Sequence, residues 1–310
     1  MIGPMSAQDS IIRCLLENGR ARVVAATTTE TVRQIVLRHE VRGVGAVALG
    51  RAVTSGLMLA TLTKDEEQVT MQILGDGPLG GVTVDARSSG KARAFLKRPG
   101  AVPWTGAPVA TRLSLAEAMG KNGLVNVIRD LGLAQNFSGQ TVLRTGEIDS
   151  DIEAYLQQSE QIDSVLRCET LLDANGGVLA SAGLLVQTLP QAEGTALVEF
   201  IRQTLDEQRL AQALAGGNLS DPEALARALL GPMSESLKVL DTRPVTFSCP
   251  CSRERAIRTL EMLHDEDLKA MVLEDNHTRV TCNFCGQHQE FSETELETIR
   301  RKRLPKQPPS

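Results

Sequence analysis

Aromatic residues are scarce in these 310 residues: six Phe, one Tyr and one Trp, 3% of the chain. That argues against an aromatic cage or a base-stacking platform. The core must rest on Leu, Val, Ile, Ala and Met. Long apolar runs are also missing. The nearest, Val44–Leu62, contains Arg51, Thr54 and Ser55 and reads as a buried helix, not a membrane span. No apolar stretch follows a basic start, so no secretory signal is apparent. Positive charge is not in excess: 33 basic residues face 38 acidic ones, a formal net charge of -5. This gives no support to non-specific coating of nucleic acid. Six cysteines are too few for a disulfide-built scaffold, and the expected setting is a reducing cytoplasm. Catalytic signatures are lacking too. The sequence has no His-Glu-x-x-His, no Gly-x-Ser-x-Gly and no acid–base pair, so an enzyme is not expected. Gly75-Asp76-Gly77-Pro78-Leu79-Gly80-Gly81 lacks the Gly-Lys-Ser/Thr ending of a phosphate loop and reads as a tight turn. Asp265-Glu266-Asp267 reads as a charged helix start in preference to a hard-cation site.

What is present is an ordinary globular composition, 42% hydrophobic and 23% charged, long enough for two or three domains. Residues 1–190 read as an α+β body. Ala21–Ala26 is a strand; Thr29 caps a helix over Glu30–His39; another helix passes through Val47, Leu57 and Leu59. Val69, Met71 and Ile73 alternate with Thr70 and Gln72, which is strand periodicity with one buried face. Further strands are expected at Val82–Asp85, up to Leu96, at Leu124–Arg129, at Gln140–Arg144 and at Val165–Leu172 and Val178–Leu189. The last two flank an Asn175-Gly176 hairpin signal. A helix is expected over Ile152–Gln161. Gln191–Gly194 is a plausible boundary. Beyond it, Thr195–Ala215 and Asp221–Leu230 read as helices, the second started either by a Ser220/Glu223 capping box or by Asp221 with Pro222 at the first turn. Leu205, Leu210 and Leu214 form an apolar stripe that either packs on the body or serves as a conditional partner surface. In the tail, helices are expected over Glu254–Leu263 and Asp265–Leu273, a hairpin over Arg279–Phe291, and a final helix with Ser292 and Glu295 as its capping box. The basic run Arg300–Arg303 reads as a solvated terminus.

The cysteines carry most of the chemical information. Cys14 and Cys168 are isolated and read as buried thiols. Cys249-Pro250-Cys251 and Cys282-Asn283-Phe284-Cys285 are close pairs separated by 30 residues. Four thiolates suit tetrahedral zinc and leave no place for a catalytic water; an iron–sulfur site or a thiol–disulfide pair are the other chemistries such pairs support. Cys-x-Cys is tighter than the common zinc spacing, and Pro250 constrains it. Arg253 and Arg255 follow directly, and their charge would favour thiolates. An inert zinc staple and a redox sensor both remain open on this pattern. His264, His277 and His288 lie near the cluster, but four sulfurs already complete a site; His288 is at most a hydrogen-bonding neighbour.

The tail Phe247-Ser248-Cys249-Pro250-Cys251-Ser252-Arg253-Glu254-Arg255, resumed at Val280-Thr281-Cys282-Asn283-Phe284-Cys285-Gly286 through Phe291, resembles that of the Hsp33 family of redox-regulated holdase chaperones. In the body, Gln72-Ile73-Leu74-Gly75-Asp76-Gly77-Pro78 is similar to the family's glycine turn, and Tyr155 through Ser159-Glu160-Gln161 to its helix. The resemblance implies an ATP-independent cytoplasmic chaperone of the oxidative stress response, with a body over 1–190, a helical metastable linker over 195–245 and a zinc-binding redox-switch domain over 246–300. It implies one zinc per reduced chain on Cys249, Cys251, Cys282 and Cys285. Oxidation would join Cys249 to Cys251 and Cys282 to Cys285, release zinc, unfold the tail and loosen the linker. The exposed surface would then bind unfolding client proteins, with the active form a homodimer. Two other classes stand beside this one: a nucleic-acid-binding zinc tail using Arg300–Lys306, and a thiol oxidoreductase using Cys282 and Cys285.

Overall fold

Alternating apolar residues make antiparallel strands, and the apolar faces they create are closed by helices on two sides. The computed structural model describes residues 8–16, 19–63, 67–106, 111–130, 132, 136–189, 195–217, 221–274 and 277–303. They form two units, Met1–Ser248 and Cys249–Ser310. The first unit begins with β1 (Ser10–Leu16), β2 (Ala21–Thr27), α1 (Thr29–Arg38) and α2 (Val44–Ala60). There follow β3 (Gln68–Gly75), β4 (Val82–Arg87), β5 (Lys91–Leu96), a single turn α3 (Ala116–Met119), β6 (Gly123–Asp130) and β7 (Phe137–Val142). Then come α4 (Ile148–Ser159), β8 (Ser164–Leu172), β9 (Val178–Thr188), α5 (Thr195–Thr204), α6 (Glu207–Ala215) and α7 (Pro222–Leu230). A 3-10 turn, Gly231–Ser236, leads to β10 (Lys238–Pro244) and β11 (Thr246–Phe247). One sheet has the order β10-β1-β2-β9-β8 and the other β11-β5-β4-β3-β6-β7. Every pairing is antiparallel except that of β11 with β5.

The apolar run around Arg51 is α2, buried at every position from Gly45 to Ala60. It packs on strands of both sheets, β4 and β5 on one and β8 and β9 on the other. Small residues permit the approach: a Cβ on Gly50 would lie 2.1 Å from Thr170 Oγ1, and one on Gly56 2.8 Å from Val84. Arg51 is tolerated there because it is paired. Its guanidinium meets Glu169 at 2.8 Å and Glu147 at 2.9 Å, while Arg112 meets Asp149 at 3.0 Å and Glu169 at 3.2 Å. Burial raises the Glu169 carboxyl against the pull of both arginines. Asp149 lies below the usual carboxylate range: burial pushes upward, and Arg112 and Arg51 together overcome it.

A second core lies on the other face of the five-stranded sheet. Ile12, Cys14, Val23, Leu184 and Val186 meet Leu205, Leu210, Leu214, Leu225 and Leu229 from the helical segment. The leucine stripe therefore packs on the body. Several local expectations are corrected. The stretch 195–215 is two helices, because Asp206 opens the second by accepting from Gln208 N and Arg209 N. Asp221 caps α7, with its carboxylate 2.8 Å from Ala224 N and Pro222 in the first turn. Ser220 and the expected boundary at Gln191–Gly194 lie outside the described residues. Thr29 is inside α1 and is not its cap; Asp9, preceding β1, supplies the carboxylate 2.6 Å from Thr31 N. Helix α4 starts at Ile148, earlier than expected, and β7 ends at Val142. The segment after the helices is a strand, β10, which extends the sheet beside β1.

Candidate metal centre

The second unit has little apolar material. Its core is Leu260, Leu268, Phe291, Leu296 and Ile299, from α8 (Arg253–Glu261), α9 (Asp265–Glu274), β12 (His277–Thr281), β13 (His288–Ser292) and α10 (Glu293–Arg303) with partly buried neighbours. Local signals set these elements. Ser252 caps α8 by accepting from Arg255 N. Ser292 and Glu295 form the expected capping box: Ser292 N donates to Glu295 Oε2 at 3.0 Å and Glu295 N to Ser292 Oγ at 3.4 Å. Strands β12 and β13 pair antiparallel from His277↔Ser292 to Thr281↔His288.

The hairpin turn holds the second cysteine pair. Cys282 N donates to Gln287 O at 2.8 Å, and Gly286 N to Cys282 O at 2.9 Å. Gly286 has φ +72°, a left-handed conformation that glycine adopts without a Cβ penalty. The first pair lies just before the α8 cap. The two loops bring Cys249, Cys251, Cys282 and Cys285 together, with all four Sγ atoms within 4.8 Å of one another. Cys249 Sγ lies 3.7 Å from Cys282 Sγ, and Cys251 Sγ 3.2 Å from Cys285 Sγ. Four sulfurs at zinc–sulfur distance from one tetrahedral centre are about 3.8 Å apart. The donor set thus fits one thiophilic ion. Among the described side chains no histidine joins the cluster: His264 and His288 are exposed, and the His277 side chain lies outside those described.

The electrostatics differ from the sequence expectation. Burial raises the Cys251 and Cys285 thiols; the Cys249 and Cys282 sulfurs add to it, while at Cys251 the hydrogen bond with Cys285 works against it. Arg253 does not serve as a counter-charge to them. It donates to Glu290 O at 3.0 Å and Glu295 at 2.6 Å, and stacks over the Phe291 ring at 4.4 Å. Its task is to fasten β13 and α10 to the start of α8. Crowded, half-buried thiols would be held together as thiolates by a metal. Sequence reasoning missed Gln287, whose side-chain oxygen is 3.3 Å from Cys251 Sγ. Nothing in a lone glutamine signals that role. Cys14 and Cys168 lie buried in the first unit, outside the cluster. The Gly75–Gly81 stretch is the expected turn, closed by Asp76 accepting from Asn122 Nδ2 at 2.7 Å and from the backbone of Lys121 and Asn122. Arg300 pairs with Asp265 and Glu297, and Lys306 lies outside the described residues.

The model of the family described as Hsp33 protein matches residues 9–292. The chain is 33% identical over 291 residues to the 33 kDa chaperonin of Listeria monocytogenes, across 94% of this chain and 98% of that one. It is 34% identical over 296 residues to the 33 kDa chaperonin of Geobacillus kaustophilus, across 94% and 97%. Its fold is similar to the crystal structure of the 33 kDa chaperonin (heat shock protein 33 homolog) of Thermotoga maritima. That match has a TM-score of 0.81 and 26% identity and covers 96% of this chain and 99% of the other.

Proposed function

The chain belongs to the Hsp33 family of chaperones, and from that premise we propose that it is a redox-regulated, ATP-independent holdase of the cytoplasm, switched by its four-cysteine centre. The observation that carries this reading is the convergence of four Sγ atoms within 4.8 Å from two loops far apart in sequence. Cys249, Cys251, Cys282 and Cys285 would hold one zinc in the reduced chain. Zinc supplies a structural cross-link there and no open coordination position.

The residues account for the switch. Among the described residues, the core of the second unit has five buried side chains. Its folding therefore leans on metal ligation, which contributes roughly 10–16 kcal/mol in small thiolate sites. Oxidation of Cys249 with Cys251 and of Cys282 with Cys285 withdraws the ligand set, and residues 246–300 disorder. The segment 195–245 then loosens from the body over 1–190. The second core shows what loosening would uncover: an apolar sheet face of Ile12, Val23, Leu184 and Val186, together with the leucines of α5–α7. A surface of that kind binds unfolding clients through apolar contact, without a specific pocket.

The test follows zinc release, hydrogen exchange and suppression of client aggregation over one oxidation course. Expected are parallel zinc loss, loss of protection in residues 246–300 and α5–α7, and gain of client holding without ATP. Zinc loss and disulfide formation with no gain in holding would defeat the reading. Salt-sensitive nucleic-acid binding, or turnover of a dithiol substrate, would replace it.

A further inference from the structure

Eight methionines are spread along the chain, and burial divides them. Met58, Met71 and Met119, all in the first core of the body, are 0% exposed. The other described ones are within reach of solvent. Met262 is 77% exposed at the end of α8. Met271 on α9 is partly buried against Leu260, Leu268, Phe291, Leu296 and Ile299. Met233, in the 3-10 turn after α7, is partly buried against the second core. Met1 and Met5 lie outside the described residues. Among the described residues, the reachable thioethers therefore sit in the metal unit and beside the docked helices, while those of the body are sealed.

The two partly buried ones contribute to packing. Met271 follows Leu268 by three residues, so they share a face of α9. The Met271 carbonyl also accepts from Thr278 Oγ1 at 3.3 Å, which ties α9 to β12. Met233 stands between Leu229 and Leu230 on one side in sequence and Leu237 on the other, all buried in the second core. A thioether is a flexible apolar filler in such places. A sulfoxide is polar and chiral and carries a strong acceptor oxygen, and burying it without a donor disfavours the docked state. At Met262 the same oxygen projects into water and disturbs no packing.

The chemistry balances with a hypohalous oxidant. The sulfur lone pair displaces hydroxide from hypochlorous acid at chlorine, and water then displaces chloride from sulfur. In sum, thioether and hypochlorous acid give sulfoxide, a proton and chloride; sulfur loses two electrons and chlorine gains them. We propose that Met271 and Met233 are oxidation sites of this protein, and that their sulfoxides keep α9 and the helical segment from re-docking after the thiols have been reduced. The proposal rests on the redox reading above and adds a second chemistry with its own reset. A dithiol re-forms the cysteines, whereas a methionine sulfoxide reductase is needed to re-form the thioethers.

Full-length, zinc-loaded protein is treated with hypochlorous acid, or briefly with hydrogen peroxide, which attacks thioethers far more slowly. Dithiothreitol and zinc follow, and peptide mass spectrometry and hydrogen exchange read the result. After hypochlorous acid, sulfoxide is expected at Met262, Met271 and Met233 and not at Met58, Met71 or Met119. The peroxide-treated chain should regain full protection on reduction. The other should exchange roughly tenfold or more faster in α9 and in residues 231–236. Methionine sulfoxide reductases acting on both epimers should restore it. A chain with Met233→Leu and Met271→Leu, swaps that conserve volume, should recover with dithiothreitol and zinc alone, and Met262→Leu should behave as wild type. Intact thioethers at Met233 and Met271 at a dose that empties the zinc centre would overturn the proposal. So would full recovery by dithiothreitol with both sulfoxides present, recovery produced by Met262→Leu, or equal oxidation of the body methionines. Failure of the oxidised wild type to hold clients would refute the functional reading, and the mass and exchange results would still decide the oxidation sites.

Discussion

Arg51 is the residue on which the body's interior depends most directly. Its side chain is fully buried, and its guanidinium is divided between Glu169 and Glu147 and the Leu113 carbonyl. Removing one partner of a buried pair leaves the other charge without compensation, at a cost of about 3–5 kcal/mol. Arg51→Met should therefore lower the unfolding midpoint of the first unit steeply while zinc binding by the second unit persists; calorimetry with metal analysis reads both. From the sequence, Arg51 showed only that α2 does not span a membrane. Its partners stand 118 and 96 residues away, and no local pattern links them. The cysteines were legible because ligand spacing is itself local. The Arg253 reading failed for the same reason as Arg51: its partners, Glu290 and Glu295, come from a hairpin and helix that sequence proximity to Cys251 does not reveal.

Among the elements, α5–α7 and β10 are the ones that the proposed opening of the first unit would move. Their leucines cover Cys14 on β1, whereas Cys168 on β8 belongs to the core around α2. Burial pushes the Cys14 thiol up to about 11, so it is unreactive while covered. If the helices leave and the body remains, a maleimide should label Cys14 in the oxidised protein and spare Cys168, with peptide mass spectrometry separating the two. Equal labelling would show that the whole first unit opens, and no labelling that the helices stay docked. Leu210→Ala should weaken the docking by about 2–5 kcal/mol and make Cys14 reactive in the reduced, zinc-loaded chain. Strand β10 has its own fastening, the Arg13–Asp241 pair, with Arg13 Nε 2.9 Å from the carboxylate. The Arg13 hydrogen bond holds Asp241 below the usual carboxylate range. A depressed folded value stabilises the fold above the unfolded pKa, near 4, and this contribution disappears as pH falls through the folded value. The pair is partly exposed, so it is worth no more than about 1 kcal/mol. Asp241→Asn should lower hydrogen-exchange protection of β10 at neutral pH and match the wild type in strong acid. Helix periodicity and the Asp221-Pro222 start were readable in advance. Strand β10 was not: it alternates only between partial and full exposure at a sheet edge, so its sequence carries no apolar rhythm.

At the scale of the whole molecule, two units with very different cores should respond separately to metal removal. The first contains two extended apolar clusters, and its single tryptophan, Trp104, packs partly buried against the first of them. A Cβ on Gly43 or Gly176 would lie 2.4 Å or 3.0 Å from the indole, so Trp104 reports on the joint between the α1–α2 turn and the β8–β9 hairpin. The second unit has a core of five buried apolar side chains among its described residues, and no tryptophan. A core of that size, below the range where apolar burial alone sustains a domain, needs a further cross-link. Chelation at neutral pH under reducing conditions should therefore melt α8, α9 and α10, seen as a partial loss of helical circular dichroism, with Trp104 emission unchanged. Heating should then give one transition from the first unit, where the zinc-loaded chain adds a second that moves with free zinc concentration. A shift in Trp104 emission on chelation would mean that the metal sustains the first unit as well. Full helicity after zinc removal would mean that Leu260, Leu268, Phe291, Leu296 and Ile299 suffice on their own, and that the thiols can be oxidised without unfolding anything.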